Sequence, residues 1–244
     1  MRLRRRIAIP QLDPEEIAFP DPATALDDPN GLLAFGGDLR PARLLAAYQL
    51  GVFPWYQEPQ PILWWSPDPR AVLFPPAIHI SRSLRRLLRQ GRYRVSMDCA
   101  FDDVVAACSE ATDKRPDTWI TPAMRHAYGR LHQLGHAHSV EVWADQELVG
   151  GLYGVARGRV FFGESMFSRR DSASKVALVH LCGQLQRWGF ALIDCQVGND
   201  HTYAMGAVDV ERAEFLRLLA DGIGDADDVA AQRWVLDWFW PGDQ

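Results

Sequence analysis

A chain of 244 residues and 27.5 kDa can bury a sizeable core without covalent staples, as one large domain or two unequal ones. Its formal charge of −5 argues against a protein that coats nucleic acid regardless of sequence, while leaving room for a local basic patch. The four cysteines, Cys99, Cys108, Cys182 and Cys195, show no CxxC spacing and lie mostly among apolar neighbours, as expected for a reduced, cytoplasmic setting.

The chain starts with basic residues 1–6 but passes into Ile7-Ala8-Ile9-Pro10-Gln11 instead of a long apolar run, so neither a signal peptide nor a membrane span is expected. As far as Pro76 the composition is rich in Pro, Gly and Asp. One helix fits there, over 41–50, with Pro41 in its first turn and Gly51 just past its end. Phe53, Trp55, Tyr56, Trp64 and Trp65 supply aromatic packing for a small N-terminal module, with edge strands expected over 62–65 and 71–74. The predicted division is 1–76 for this module and 77–244 for the rest.

Ser81 caps a predicted short helix carrying Arg82, Arg85, Arg86 and Arg89, followed by Arg92 and Arg94. Helices are predicted over 101–110, with Phe101, Val104, Val105 and Cys108 on one stripe, and from Thr121-Pro122 to Gly135. The period then switches to two. Strands over 139–143, 148–155 and 160–164 form an antiparallel meander, turning at Asp145-Gln146 and Arg157-Gly158. An amphipathic helix over 172–188 follows, ended by Gly189, then a strand over 190–196 and a helix over 211–219. An acidic surface loop over 221–228 precedes the apolar run 234–240. Meander, helix, strand is the pattern of an α+β fold.

Glu164 interrupts an apolar strand at its end. It is either a strand-end surface carboxylate or a functional one, because burying it unpaired costs several kcal/mol. Asp194-Cys195-Gln196 ends another strand, and two such polar ends converging between apolar residues make a candidate site. His126, His132, His136 and His138 lack ligand spacing and read as surface or hydrogen-bonding histidines, so no metal is expected. The glycines from Gly31 to Gly37 do not match a phosphate loop, and Gly150-Gly151 within a strand marks a bulge or a close approach. The arginines at 82–94 read either as a solvated helix face or as a phosphate-binding patch beside aromatics that could stack on unpaired bases.

Several motifs occur together and in order: Asn30-Gly31-Leu32-Leu33-Ala34-Phe35-Gly36-Gly37-Asp38-Leu39, Gly51-Val52-Phe53-Pro54-Trp55-Tyr56, Trp64-Trp65-Ser66-Pro67-Asp68-Pro69-Arg70, His79-Ile80-Ser81-Arg82-Ser83, Gly163-Glu164-Ser165-Met166-Phe167-Ser168 and Asp194-Cys195-Gln196. From about Ile17 to Trp240 the chain resembles the leucyl/phenylalanyl-tRNA–protein transferase family. The resemblance implies a small N-terminal domain joined to a C-terminal domain of the GNAT acyltransferase type, with a mixed, largely antiparallel sheet. It implies transfer of leucine or phenylalanine, with methionine as a further donor, from tRNA to the N-terminal Arg or Lys of acceptor proteins. The product is an N-degron read by an adaptor and a protease.

No cofactor is implied, and Arg169-Arg170-Asp171-Ser172-Ala173-Ser174 lacks the glycines of a coenzyme A pyrophosphate loop. Carried over by motif, Asp194 and Gln196 are the catalytic pair, Asp194 polarising Gln196, and Glu164 orients an α-amino group. Leu152, Val155, Phe162, Met166 and Phe167 are candidates for the aminoacyl pocket or equally for strand core. The match further implies that Trp55 and Trp119 contact the terminal adenosine, and that Arg82, Arg85 and Arg86 meet the tRNA backbone. For the basic acceptor, Glu141, Asp145, Asp171 and Asp194 are unranked candidates.

Overall fold

The computed structural model describes residues 9–111, 118–224 and 234–241. A small sheet holds β1 (Gln11–Leu12), β2 (Leu32–Gly36), β3 (Phe53–Pro54) and β4 (Leu63–Trp65) in the order β1-β2-β4-β3. In chain order helix α1 (Pro41–Gln49) falls between β2 and β3, with proline at its first position and Gly51 at φ 69° just beyond. A Cβ at Gly51 would come within 2.7 Å of the Phe215 ring, so glycine serves both the turn and the contact with the last helix.

The larger sheet has seven strands: β5 (Arg70–Leu73), β6 (Arg94–Met97), β7 (Ala137–Ala144), β8 (Glu147–Arg157), β9 (Val160–Ser168), β10 (Leu192–Gln196) and β11 (Val208–Val210), in the order β11-β5-β10-β9-β8-β7-β6. Within this sheet, among the described residues, only β9 and β10 pair in parallel. This is an α+β chain with a mixed, largely antiparallel sheet. Residues 71–74, expected at an edge of the small module, instead supply most of an inner strand: β5 is buried along its length and takes hydrogen bonds from β10 and β11.

Helices α2 (Arg82–Arg89), α3 (Phe101–Ser109), α4 (Pro122–Gln133), α5 (Ala173–Arg187), α6 (Asp200–Ala204) and α7 (Arg212–Ile223) complete the structure. Ser81 Oγ accepts from Leu84 N at the start of α2, and Thr121 Oγ1 from Met124 N at the start of α4, each cap contributing about 1 kcal/mol. Alternation along the strands sends Tyr153, Val155, Val160 and Phe162 into a core with α1, α3, α4 and α7, and Leu152, Phe161 and Ile193 into a core with α2 and α5. Gly150 allows the start of α5 to lie on the sheet, since a Cβ there would collide with Ala173.

Helix α7 runs to Ile223, so Asp221 is helical, and 225–228 lie outside the described residues. The apolar run from Trp234 forms no regular element; Gln184 on α5 holds it through the backbone N–H groups of Asp237 and Trp238. Among the described residues no helix is long and apolar enough to cross a membrane.

Candidate active site

The parallel pairing of β9 with β10 stops at Phe162 and Asp194, although both strands continue. A cavity of about 560 Å³ opens where they part, a volume suited to a small-molecule-sized group. Two bulges aim side chains into it. Tyr153 pairs with Ser165 and Gly154 with Gly163, so Glu164 is the extra residue in β9. In β10, Asp194 pairs with Val72 and Gln196 with Ala71, leaving Cys195 extra. Gln196 adopts φ 56°, a left-handed conformation that costs a non-glycine residue about 1–2 kcal/mol. Bulges of this kind redirect a side chain that regular alternation would point elsewhere.

Glu164 lies within a web of donors. Its Oε1 accepts from Tyr48 OH at 2.8 Å and from Gln196 Nε2 at 3.3 Å, and its Oε2 from Tyr128 OH at 2.6 Å. The two phenol oxygens are 2.7 Å apart. Loss of water around the carboxyl pushes its pKa up to about 7; the bonds from Tyr128 and Tyr48 oppose that shift, as does Arg70, while the charge of Asp194 adds to it. Burial first, and the charge of Glu164 second, hold both tyrosines well above their ordinary range. They therefore remain donors at neutral pH.

Asp194 is fully buried and does not line the cavity. Arg70 holds it bidentately, Nε to Oδ1 at 2.8 Å and Nη2 to Oδ2 at 2.6 Å. The Arg70 guanidinium also lies over the rings of Phe53 and Phe215, at 4.8 and 4.5 Å. The expected polarisation of the Gln196 amide by Asp194 is replaced by another contact: Asp194 Oδ1 accepts from the Gln196 backbone N–H at 2.9 Å. Asp194 thus fixes the strained turn that presents Gln196, whose side chain points to Glu164 instead.

Of the candidate pocket residues, Leu152, Met166 and Phe167 line the cavity, with Leu73, Phe161, Leu178, Leu181 and Ile193. Val155 and Phe162 do not. They are paired in register and buried on the opposite face, with the Phe162 ring 4.9 Å from that of Tyr48. Trp55, 45% exposed, and Trp119 both border the cavity. Arg82, Arg85 and Arg86 are exposed on α2 and form no ion pair among the described residues, while Leu84 and Leu88 anchor that helix in the core it shares with α5.

Among the acidic acceptor candidates, Glu141 is fully buried and accepts from Ser96 Oγ and Ser139 Oγ, both at 2.5 Å, and from the backbone N–H groups of Cys99 and Ala100 leading into α3. Glu141 and Asp194 are therefore unavailable to a substrate; Asp145 and Asp171 are exposed. Cys195 borders the cavity, but burial, with the charge of Asp194, pushes its thiol up to about 12, so it is no thiolate nucleophile. Asp98, His132 and His138 bring ligand-type atoms within 4.8 Å of one another. Both nitrogens of His138 are engaged, with Asp98 Oδ2 at 2.7 Å and Gly135 O at 3.2 Å, so a metal ion would have to displace existing bonds. At the start of α5 the Ser174 N–H is bonded to Ser168 Oγ at 3.1 Å, which removes one donor that a pyrophosphate would need.

Arg70, Tyr48 and Tyr128 escape a reading of the sequence. The signal for Arg70 was a lone charge heading the apolar run Ala71-Val72-Leu73-Phe74; the tyrosines fall at core positions of their helices and carry no separate signal.

Two family models match the chain: "Leucyl/phenylalanyl-tRNA protein transferase" over residues 72–220 and "Leucyl/phenylalanyl-tRNA protein transferase N-terminal domain" over 37–68. The class is thus an aminoacyltransferase with a small N-terminal domain, and its polar groups converge where the parallel strands part. Curated relatives named leucyl/phenylalanyl-tRNA–protein transferase include one from Aromatoleum aromaticum, 63% identical over 83% of this chain and 86% of its own length. Others are from Cellvibrio japonicus, 56% identical over 86% and 90%, and Escherichia coli, 57% identical over 86% and 88%. The chain belongs to the leucyl/phenylalanyl-tRNA–protein transferase family. Among solved structures, a GCN5-related N-acetyltransferase from Kribbella flavida overlaps with a TM-score of 0.36, at 13% identity over 69% of this chain and 60% of that one. That overlap is too slight to carry a conclusion.

Proposed function

We propose that the protein transfers leucine, phenylalanine and also methionine from aminoacyl-tRNA to the N-terminal Arg or Lys of acceptor proteins in the cytoplasm, forming a peptide bond. On this reading the product is an N-degron, delivered by an adaptor to a protease. The observation that carries it is Glu164, a carboxylate held by Tyr48 and Tyr128 in a cavity that also has an apolar wall. A leucyl or phenylalanyl group placed there sets its ammonium on the carboxylate and its side chain against Leu152, Met166 and Phe167. Methionine at 166 makes that wall adaptable to both shapes.

Trp55 and Trp119 flank the cavity as stacking surfaces for the terminal adenosine. Arg82, Arg85 and Arg86 offer unpaired guanidinium groups to the acceptor-stem phosphates. Asp145 and Asp171 are the remaining acidic candidates for the acceptor's basic side chain. Gln196 orients the attacking amine, and Asp194 positions Gln196. An amide is too weak a base to remove a proton, so orientation of two bound reactants supplies much of the rate.

The test uses purified protein, tRNA charged with labelled Leu, Phe or Met, and peptides beginning with Arg, Lys or Ala. Label is expected on the Arg and Lys peptides alone, in an RNase-sensitive reaction; no transfer from Leu-tRNA to the Arg peptide would refute the proposal.

A further inference from the structure

We infer that His201 is a further catalytic residue, whose Nε2 takes the proton released by the attacking amine and returns it to the departing 3′-oxygen of the donor. The inference rests on the transfer reading above. After β10 the chain continues along one wall of the cavity, which Gln196, Val197, Asn199, His201 and Thr202 all line. A capping box fixes this stretch: Asn199 Oδ1 accepts from Thr202 N, and Thr202 Oγ1 from Asn199 N, both at 3.0 Å. The ring of His201 is thereby held on a rigid turn five residues beyond Gln196.

His201 Nε2 is buried and has no hydrogen-bond partner among the described residues. Few buried polar atoms in a folded protein are left in that state, and this one belongs to a residue that lines the cavity. Burial, and then the charge of Lys175, lower the pKa of His201, so the imidazole is neutral at pH 7 and offers a lone pair.

The other titratable groups of the site are committed, Glu164 to the donor's ammonium on the reading above. Glu164 accepts three hydrogen bonds, Asp194 is held by Arg70, and Cys195 stays a thiol. Among the described residues His201 is the one imidazole lining the cavity. In the step, the amine nitrogen bonds the ester carbonyl carbon and one of its protons passes to Nε2. The carbon–oxygen ester bond then breaks, and the imidazolium protonates the 3′-oxygen. One amide and one ribose hydroxyl result, with no net proton released and no co-reactant needed.

The experiment measures transfer from Leu-tRNA to an Arg peptide, both saturating, for the wild type, His201→Ala and His201→Gln, with thermal unfolding of each. Wild-type transfer tests the functional reading alone; without it both ideas fall. Given that transfer, His201→Ala should be slowed about 100-fold with KM little changed, and added imidazole should restore part of the rate. His201→Gln, which keeps the bulk and a hydrogen-bonding end, should stay slow and serves if the alanine variant does not fold. A folded variant within threefold of the wild-type rate, or a slow folded His201→Ala that imidazole does not accelerate, overturns the assignment.

Discussion

Arg70 and Asp194, 124 positions apart, meet in the core through two parallel hydrogen bonds of 2.8 and 2.6 Å, with neither side chain more than 1% exposed. Breaking such a pair strands a charge without water, whereas removing both charges can be neutral. Arg70→Met or Asp194→Ala should therefore each cost about 3–5 kcal/mol of stability. The double variant Arg70→Met/Asp194→Leu should recover most of it, as read from urea unfolding. Recovered stability without recovered transfer would separate the fold's need for Asp194 from its role in presenting Gln196.

The phenol of Tyr128 donates to Glu164 at 2.6 Å and favours the charged carboxylate. Tyr128→Phe removes that donor, so Glu164 should hold its proton to higher pH. The acidic limb of the rate–pH profile should move upward by about one unit, the size expected for one hydrogen bond to a charged group. A downward or absent shift in the profile would mean that Glu164 does not govern that limb.

Raising a carboxyl from its ordinary 4.5 to about 7 has a cost in stability with a definite sign. Between those values the folded protein holds a proton that the unfolded chain has lost, so stability declines as pH rises through that window, by about 3 kcal/mol at most. Glu164→Gln escapes the penalty. It should match the wild type near pH 4 and unfold at higher urea concentration near pH 8, while losing transfer at both. Parallel urea midpoints for the two proteins across pH would contradict the assigned shift.

Most elements were legible because their signals are local. Pro41 and Gly51 bracket α1, Ser81 and Thr121 cap α2 and α4, and alternation marks β7 to β9. What stayed hidden depends on pairing across distance. Residues 71–74 look like an edge strand until β10 and β11 flank them, and no spacing tells that Arg70 meets Asp194. The bulges at Glu164 and Cys195 are register events between strands, which no local signal marks, and Phe162, a candidate for the pocket or equally for strand core, packs on Tyr48. Glu164 and Gln196 stood out as polar groups at strand ends and the resemblance supplied their roles, yet the contact between their side chains follows only from the two bulges.

Arg82, Arg85 and Arg86 stand free of acidic partners among the described residues. If each meets one phosphate, replacing all three with Glu should weaken tRNA binding and flatten the dependence of log K on log salt by about 2–3. Binding measured from low to moderate salt checks this. An unchanged slope would place the RNA on another face.

Leu178 extends from α5 into the cavity and is 5% exposed. Its wall is formed by a helix, which yields less than a loop when a side chain is cut back, so Leu178→Ala should leave real space beside Met166. Phenylalanine gains from the added room and leucine loses contact. The ratio of kcat/KM for Phe-tRNA over Leu-tRNA should rise about tenfold or more, the discrimination that a few methylenes supply in an apolar pocket. Met166→Ala removes a more flexible neighbour and should shift the ratio in the same direction by less. If Leu178→Ala lowers both donors equally and leaves their ratio unchanged, the leucine side chain is seated elsewhere in the cavity.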